Sequence, residues 1–314
     1  MRFPRPTNNV TIKREPVLGT VLQARFSVHN ARHARAAESA LLAEVARLER
    51  IFSVFDPNSE LCRWRRGDLE PGDDLTELLS LAAPWQRLGD GSFNPAVGVL
   101  TRCWQQAERE GHEPSSEELA ELAASIREPT YRVTAGCVDR LGDCSHLSFN
   151  AIAKGFIVDR AAAAAIAGGN VTAVVLNIGG DLVHRGAGCT VVGVENPQRA
   201  YDNERPLAVV EVANQGMATS GSSRRGFVVN DRWYSHVLDP RTGHPVDRVA
   251  SASVIGPDTV TADVAATVLS VLPPTEGLVA IASNPAGAAL ACCVVDRAGH
   301  MYTNDAWDAR IRLR

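Results

Sequence analysis

Apolar positions recur along the chain in two periods. From Ala31 to Phe52 they fall at helical spacing, with Leu41, Val45, Leu48 and Phe52 on one stripe, which predicts an amphipathic helix. A second helix is expected to open at Asp73 and Asp74 and to carry Leu75, Leu78, Leu79 and Ala82 inward. Two more are expected over 151–168 and 261–272. In the last, Val264, Val268, Val271 and Leu272 share a face. A capping box from Ser115 to Glu118 announces one short helix within the polar stretch 105–130. "YRVTAG", "AVVLNIG", "CTVVGVE", "LAVVEVA", "FVVND" and "ASASVIG" read as strands bounded by turns. "REPVLGTVLQARFSV" reads as a strand or hairpin arm broken at Gly19. Strand runs mixed with helices, without strict alternation, predict an α+β fold of mixed, mostly antiparallel sheets with packed helices. With no repeat and no dividing linker, residues 1–314 are expected to form a single domain whose first 14 residues are a polar leader.

Composition narrows the function classes. The chain has 314 residues, 45% of them hydrophobic and 22% charged, as in a soluble globular protein. A net charge of −4 points to neither nucleic acid nor an anionic membrane as partner. The basic cluster Arg63, Arg65 and Arg66 reads as a solvated turn. No window approaches the ~20 apolar residues of a membrane span, and the N-terminal stretch has no apolar signal region. Cysteine occurs seven times without a CxxC spacing, so neither a disulfide framework nor a zinc knuckle is expected. Cys292 and Cys293 fit a buried strand. The expected location is the cytoplasm.

Four segments hold more polar groups and turn formers than packing requires. In "SFNAIAKGFIVD", Asn150 can cap a helix whose first turns carry Lys154, and Gly155 permits close approach. A helix N-terminus beside a lysine suits an anion, while a surface lysine on an alanine-rich helix fits the same letters. "LNIGGDL" lacks GxGxxG and a following helix, so its glycines are read as a sharp turn rather than a dinucleotide loop. Asp181 beside them is equally a turn former or a functional group. In "YSHVLDPRTGHPV", His236 follows a strand and is either a base for a hydroxyl proton or a histidine satisfied by the next turn. In "TADVAATVLSVL", Thr261 as N-cap would place Asp263 in the first turn, where a carboxylate is favoured anyway. That does not account for Thr267 on the same face one turn later. Two oxygens in register suit a hard cation such as Mg²⁺, which would need further oxygens from elsewhere.

Taken in order, the segments resemble the FAD:protein FMN transferase (ApbE) family. The resemblance runs through "LGT", "FSVFDPNSEL", "GDGSFNPAVGVL", "NAIAKGFIVD", "LNIGGDLVHRG", "ATSG", "SHVLDPRTGHPV" and "TADVAAT". It implies a Mg²⁺-dependent enzyme that takes FMN from FAD and joins it, through a phosphoester, to a Thr or Ser hydroxyl of an acceptor protein, releasing AMP. It implies metal ligation by the Ala151 carbonyl, the Asp263 carboxylate and the Thr267 hydroxyl. His236 is implied as base, with Lys154 beside the flavin nucleotide. The implied FAD site comprises Leu18, Phe55, Ser92, Phe93, Asn94, Ser148, Lys154 and Val237. Four of these depart from the family pattern: Phe55 stands for Tyr, Asn94 and Ser148 each for Asp, and Leu18 for a frequent Met. The lost carboxylates imply altered hydrogen bonding to FAD, because an amide donates where a carboxylate only accepts. Two other readings use the same pocket: a FAD pyrophosphatase giving FMN and AMP, and a non-catalytic flavin-binding protein. The family's acceptor motif is not evident in this chain, so the partner is expected to be a separate protein carrying a Ser/Thr motif.

Overall fold

A computed structural model describes residues 8–199, 205–221, 225–284 and 287–313. Strands β1 (Asn8–Val17) and β2 (Thr20–Val28) form a hairpin that turns at Leu18 and Gly19, both at positive φ. The second half of the expected leader, residues 8–14, therefore belongs to β1, and its first half lies outside the described residues. In β1, alternate Val10 and Ile12 pack on the core while the polar residues between them face out. Helix α1 (Ala31–Phe52) starts where the Asn30 side chain accepts from the amides of Arg32 and His33, and it buries the expected stripe. The basic cluster belongs to a short helix, α2 (Glu60–Arg66), rather than to a solvated turn. Ser59 caps it, Gly67 ends it at φ 80°, and Arg65 donates to the Ser145 carbonyl.

Helices α3 (Asp73–Leu88), α4 (Gly98–Glu110) and α5 (Ser116–Ser125) follow, with a 3₁₀ turn at Pro95–Val97 before α4. Ser115 Oγ accepts from the Glu118 amide at 3.1 Å, as the capping box predicts. After the small hairpin β3 (Tyr131–Thr134) and β4 (Cys137–Arg140) comes α6 (Asn150–Gly169). Its N-cap position is Phe149, and Asn150 is the first helical residue rather than the cap.

The rest is mostly sheet. β5 (Ala173–Ile178), β6 (Asp181–Gly186), β7 (Thr190–Val194), β8 (Ala208–Val212) and β9 (Gly216–Gly221) lead to the hairpin β10 (Gly226–Val229) and β11 (Arg232–Ser235). β12 (Val249–Gly256), α7 (Thr259–Val271), α8 (Pro274–Ala282), β13 (Ala291–Asp296), β14 (Met301–Thr303), α9 (Asp305–Asp308) and β15 (Ile311–Leu313) complete it. The main sheet runs β1-β2-β5-β6-β9-β12-β13-β14, and its neighbouring strands pair antiparallel throughout.

Alternation gives this sheet two apolar faces. Val174, Leu176 and Ile178 join α1, α6 and α7 in one core. Leu182, Met217, Ile255 and Val295 point the other way, onto the small sheet β15-β8-β7 and Trp307. Cys292 lies in the first core and Cys293 in the second, as period-two alternation requires of a doubly covered strand. All seven cysteines are free thiols.

Candidate active site

Helices α6 and α7 meet along two rows of residues spaced by four. Ala151, Gly155 and Asp159 form one row, and Thr259, Asp263 and Thr267 the other. The rows run in opposite directions. Asp159 accepts from the amides of Thr259 (2.7 Å) and Val260 (3.1 Å), while the Gly155 amide donates to Asp263 Oδ2 at 3.2 Å. Glycine is required at this crossing, because a Cβ on residue 155 would lie 2.5 Å from the Thr259 carbonyl oxygen. The same register carries Ala151 toward Thr267. In a regular helix the residue 155 amide would serve the residue 151 carbonyl. A carbonyl oxygen has two lone pairs, so the Ala151 oxygen can serve that amide and still accept a second partner.

Asp263 is only 5% exposed. The helix carrying it begins two residues earlier than expected, because Asp258 takes the cap position and accepts from the Thr261 amide at 2.7 Å. Asp263 therefore lies beyond the first turn, and the favourable helix-end field does not explain it. Burial, and secondarily the charge of Asp181, push its carboxyl up, against opposing pulls from Lys154 and the Gly155 amide. Thr267 Oγ donates to the Asp263 backbone carbonyl at 3.2 Å, which leaves its lone pairs for another partner.

Lys154 projects from α6 and is ion-paired with Asp181 Oδ2. Burial pulls the pKa of this lysine down, but Asp181 and Asp263 together outweigh burial and hold it above the usual lysine range. Asp181 opens β6, just after the turn at Gly179 and Gly180, whose φ values of 62° and 101° suit a two-residue hairpin. It is 1% exposed, and its Oδ1 has no hydrogen-bond partner among the described residues. The sequence left Asp181 undecided between turn and function; the structure puts it inside the cluster. The β1–β2 turn lies beside it, where the Gly179 amide donates to the Val21 carbonyl at 3.2 Å, so Leu18 belongs to the same end of the sheet.

His236 follows β11. Its Nδ1 lies 3.0 Å from the Arg225 carbonyl, and its own amide donates to the same oxygen at 3.1 Å. A carbonyl can only accept, so Nδ1 carries the proton and Nε2 keeps its lone pair. Desolvation, with the charges of Arg225 and Lys154, holds this imidazole below the usual histidine range, against the opposing pull of its Arg225 bond. Val237 is buried next to it, its amide donating to Ser235 Oγ at 3.0 Å.

The remaining expected residues are less concentrated. Ser92, Phe93 and Asn94 form a buried loop against α7, with Val268 next to Gly89. Ser92 Oγ donates to the Gly89 carbonyl. Asn94 accepts from the Ala96 amide at 2.8 Å and donates to the Ile126 carbonyl at 2.7 Å, a bond that a carboxylate could not make. Ser148 is half-buried, its amide donating to the Pro95 carbonyl at 2.7 Å. Phe55 stands apart on the turn between α1 and α2, 90% exposed.

An all-oxygen corner fits a hard divalent cation. Its surroundings fit too: two carboxylates outnumber one ammonium, and one buried carboxylate oxygen lacks a donor. No group of three or more His, Cys, Asp or Glu side chains able to hold a metal occurs among the described residues. A cation here would therefore depend on the Ala151 carbonyl and the Thr267 hydroxyl as well as Asp263.

An oxygen corner suited to a cation, an ammonium fixed by a carboxylate and an imidazole with an unprotonated Nε2 are groups that chemistry on a phosphate can use. The particular family is clear from comparison: residues 18–291 match the ApbE family model, and the chain belongs to that family. It is 29% identical over 238 residues to the FAD:protein FMN transferase of Haemophilus influenzae, covering 70% of this chain and 68% of that one. The FAD:protein FMN transferase of Treponema pallidum is 27% identical over 286 residues, covering 82% and 77%. Among solved structures, the ApbE protein of Thermotoga maritima superposes with a TM-score of 0.83 at 24% identity, covering 98% of this chain and 100% of that one. The flavin transferase ApbE of Vibrio cholerae gives 0.78 at 20%, covering 97% and 100%. Both share the α+β fold described above.

Proposed function

We infer that this chain is an FAD:protein FMN transferase that moves FMN from FAD to a Ser or Thr hydroxyl of an acceptor protein. The observation that carries the reading is the His236 tautomer, an unprotonated Nε2 on an imidazole near enough to Lys154 to feel its charge. Nε2 takes the proton from the acceptor hydroxyl as its oxygen bonds to the FMN phosphorus. The bond from that phosphorus to the bridging oxygen breaks, and AMP leaves with the electron pair. Lys154 supplies a fixed positive charge to the phosphate oxygens, with Asp181 holding the ammonium in place. Mg²⁺, held by the Ala151 carbonyl, Asp263 and Thr267, would supply further positive charge to the pyrophosphate. No helix among the described residues is long and apolar enough to cross a membrane. Seven unpaired thiols support a reducing compartment such as the cytoplasm.

The test is incubation with FAD, Mg²⁺ and an acceptor protein, following AMP and protein-bound flavin fluorescence together. Transfer gives equal amounts of both. AMP with free FMN and no labelled protein would make the chain a pyrophosphatase. Tight FAD binding without either product would leave a flavin-binding protein.

A further inference from the structure

We propose that Asp159 is a positioning residue for the cation corner, fixing α7 on α6 so that Asp263 and Thr267 face the Ala151 carbonyl. This rests on the cation reading given above. Asp159 receives more than a structural carboxylate needs. Its Oδ2 accepts from the amides of Thr259 (2.7 Å) and Val260 (3.1 Å), and its Oδ1 from Thr259 Oγ (3.0 Å) and Arg185 Nη2 (3.4 Å). Helix α7 already has a cap of its own in Asp258. Asp258 serves the Thr261 amide, and Asp159 takes the two amides before it. What Asp159 adds is a tie between elements, because it comes from α6 while Arg185 comes from β6 and also donates to the Pro257 carbonyl at 3.1 Å.

Its place in the two rows makes the tie consequential. Thr259 is one turn before Asp263 and two turns before Thr267, while Asp159 is one turn after Gly155 and two after Ala151. Clamping 159 to 259 sets both the axial height and the rotation of one row against the other. A slip of one residue would move Asp263 by about 1.5 Å along the axis and turn it by about 100°. Ligand sites tolerate misplacement of only about 0.5 Å. Thr259 is fully buried, and its one hydroxyl proton, given to Asp159, has the Leu182 carbonyl 3.3 Å away as a second acceptor in reach, so the clamp borders the sheet.

The experiment compares Asp159→Asn with Asp258→Ala in the full-length protein without FAD, reading Mn²⁺ binding by electron paramagnetic resonance and melting by circular dichroism. Asp258→Ala removes the cap from the same helix but leaves the tie between helices. We expect Asp159→Asn to weaken Mn²⁺ binding at least tenfold, and Asp258→Ala to change it less than threefold while lowering Tm. Equal weakening by both, or wild-type Mn²⁺ affinity in Asp159→Asn, would overturn the positioning role. Should Asp159→Asn fail to fold, Thr259→Val removes the hydroxyl bond alone and is expected to weaken binding about threefold; no change would overturn the proposal. Asp263→Ala separates the two ideas. Unchanged Mn²⁺ binding in that variant, or none in the wild type, refutes the cation corner itself. Loss there with retention in Asp159→Asn refutes only the positioning role.

Discussion

Lys154 and Asp181 are the pair on which the site's electrostatics turn. Removing one partner of a buried pair costs about 3–5 kcal/mol, while replacing both with apolar groups is often neutral. The upper end does not apply here, because the Lys154 side chain keeps 33% of its surface open to solvent. Asp181→Asn is expected to destabilise by about 2–3 kcal/mol, and Asp181→Asn with Lys154→Met by clearly less. Urea unfolding of the two variants checks this; equal losses would mean that the pair is not coupled. His236 makes a kinetic prediction. Its ordinary pKa of 6.5 is lowered in the fold, so the base form persists below that pH and is lost as pH falls through the depressed value. The acid limb of kcat/KM for the acceptor should therefore lie below pH 6.5. With Mg²⁺ saturating, so that the raised Asp263 carboxyl stays ionised, an acid limb above it would remove His236 as the base. These roles were unequally visible in the sequence. Spacing marked Asp263 and Thr267 as a candidate pair and no more, whereas Asp181 sat among glycines in a stretch that any hairpin turn could have produced. Nothing local distinguishes a turn aspartate from one folded under a neighbouring helix.

At the scale of elements, long periodic helices and alternating strands were legible, α1 as far as both its ends, but the start of α7 was not. Helix α7 shows why. Thr261 and Asp258 are both good caps, and the choice fell to Asp258 because Asp159, about a hundred positions away, satisfies the next two amides. Strands β6 and β9 escaped notice because glycines and polar residues interrupt their alternation, and α9 is too short to show a period. The α6–α7 crossing yields the prediction of this scale. Alanine favours a helix over glycine by about 1 kcal/mol. At residue 155, however, its Cβ would meet the Thr259 carbonyl oxygen at 2.5 Å and the Val260 Cα at 2.9 Å, both backbone atoms that cannot rotate away. Overpacking of this kind costs about 1–3 kcal/mol. Gly155→Ala should therefore lower stability despite its propensity gain, and it should weaken Mn²⁺ binding by parting the two rows. A variant at least as stable as wild type with unchanged Mn²⁺ affinity would show that the crossing is looser than it stands here.

For the whole molecule, the two-faced sheet separates support from chemistry. Ala151, Lys154, Asp263 and Thr267 all come from helices on the first face, and Asp181 joins them from the end of a strand that both cores share. The second core, with Trp307 at its centre and the small sheet β15-β8-β7 over it, contributes no residue to the cluster. It packs against the back of β6, β9, β12 and β13. Trp307 is fully buried, and truncating such a side chain to alanine costs about 3–5 kcal/mol. Its indole nitrogen has no hydrogen-bond partner among the described residues, so phenylalanine gives up volume without leaving a broken bond. Trp307→Ala should thus melt well below wild type and Trp307→Phe in between. At temperatures where all three are folded, they should share one KM for FAD and one Mn²⁺ affinity. A shift in either constant that follows the loss of Tm would mean that packing on the second face is transmitted through β6 to Asp181, and the division between support and chemistry would fail.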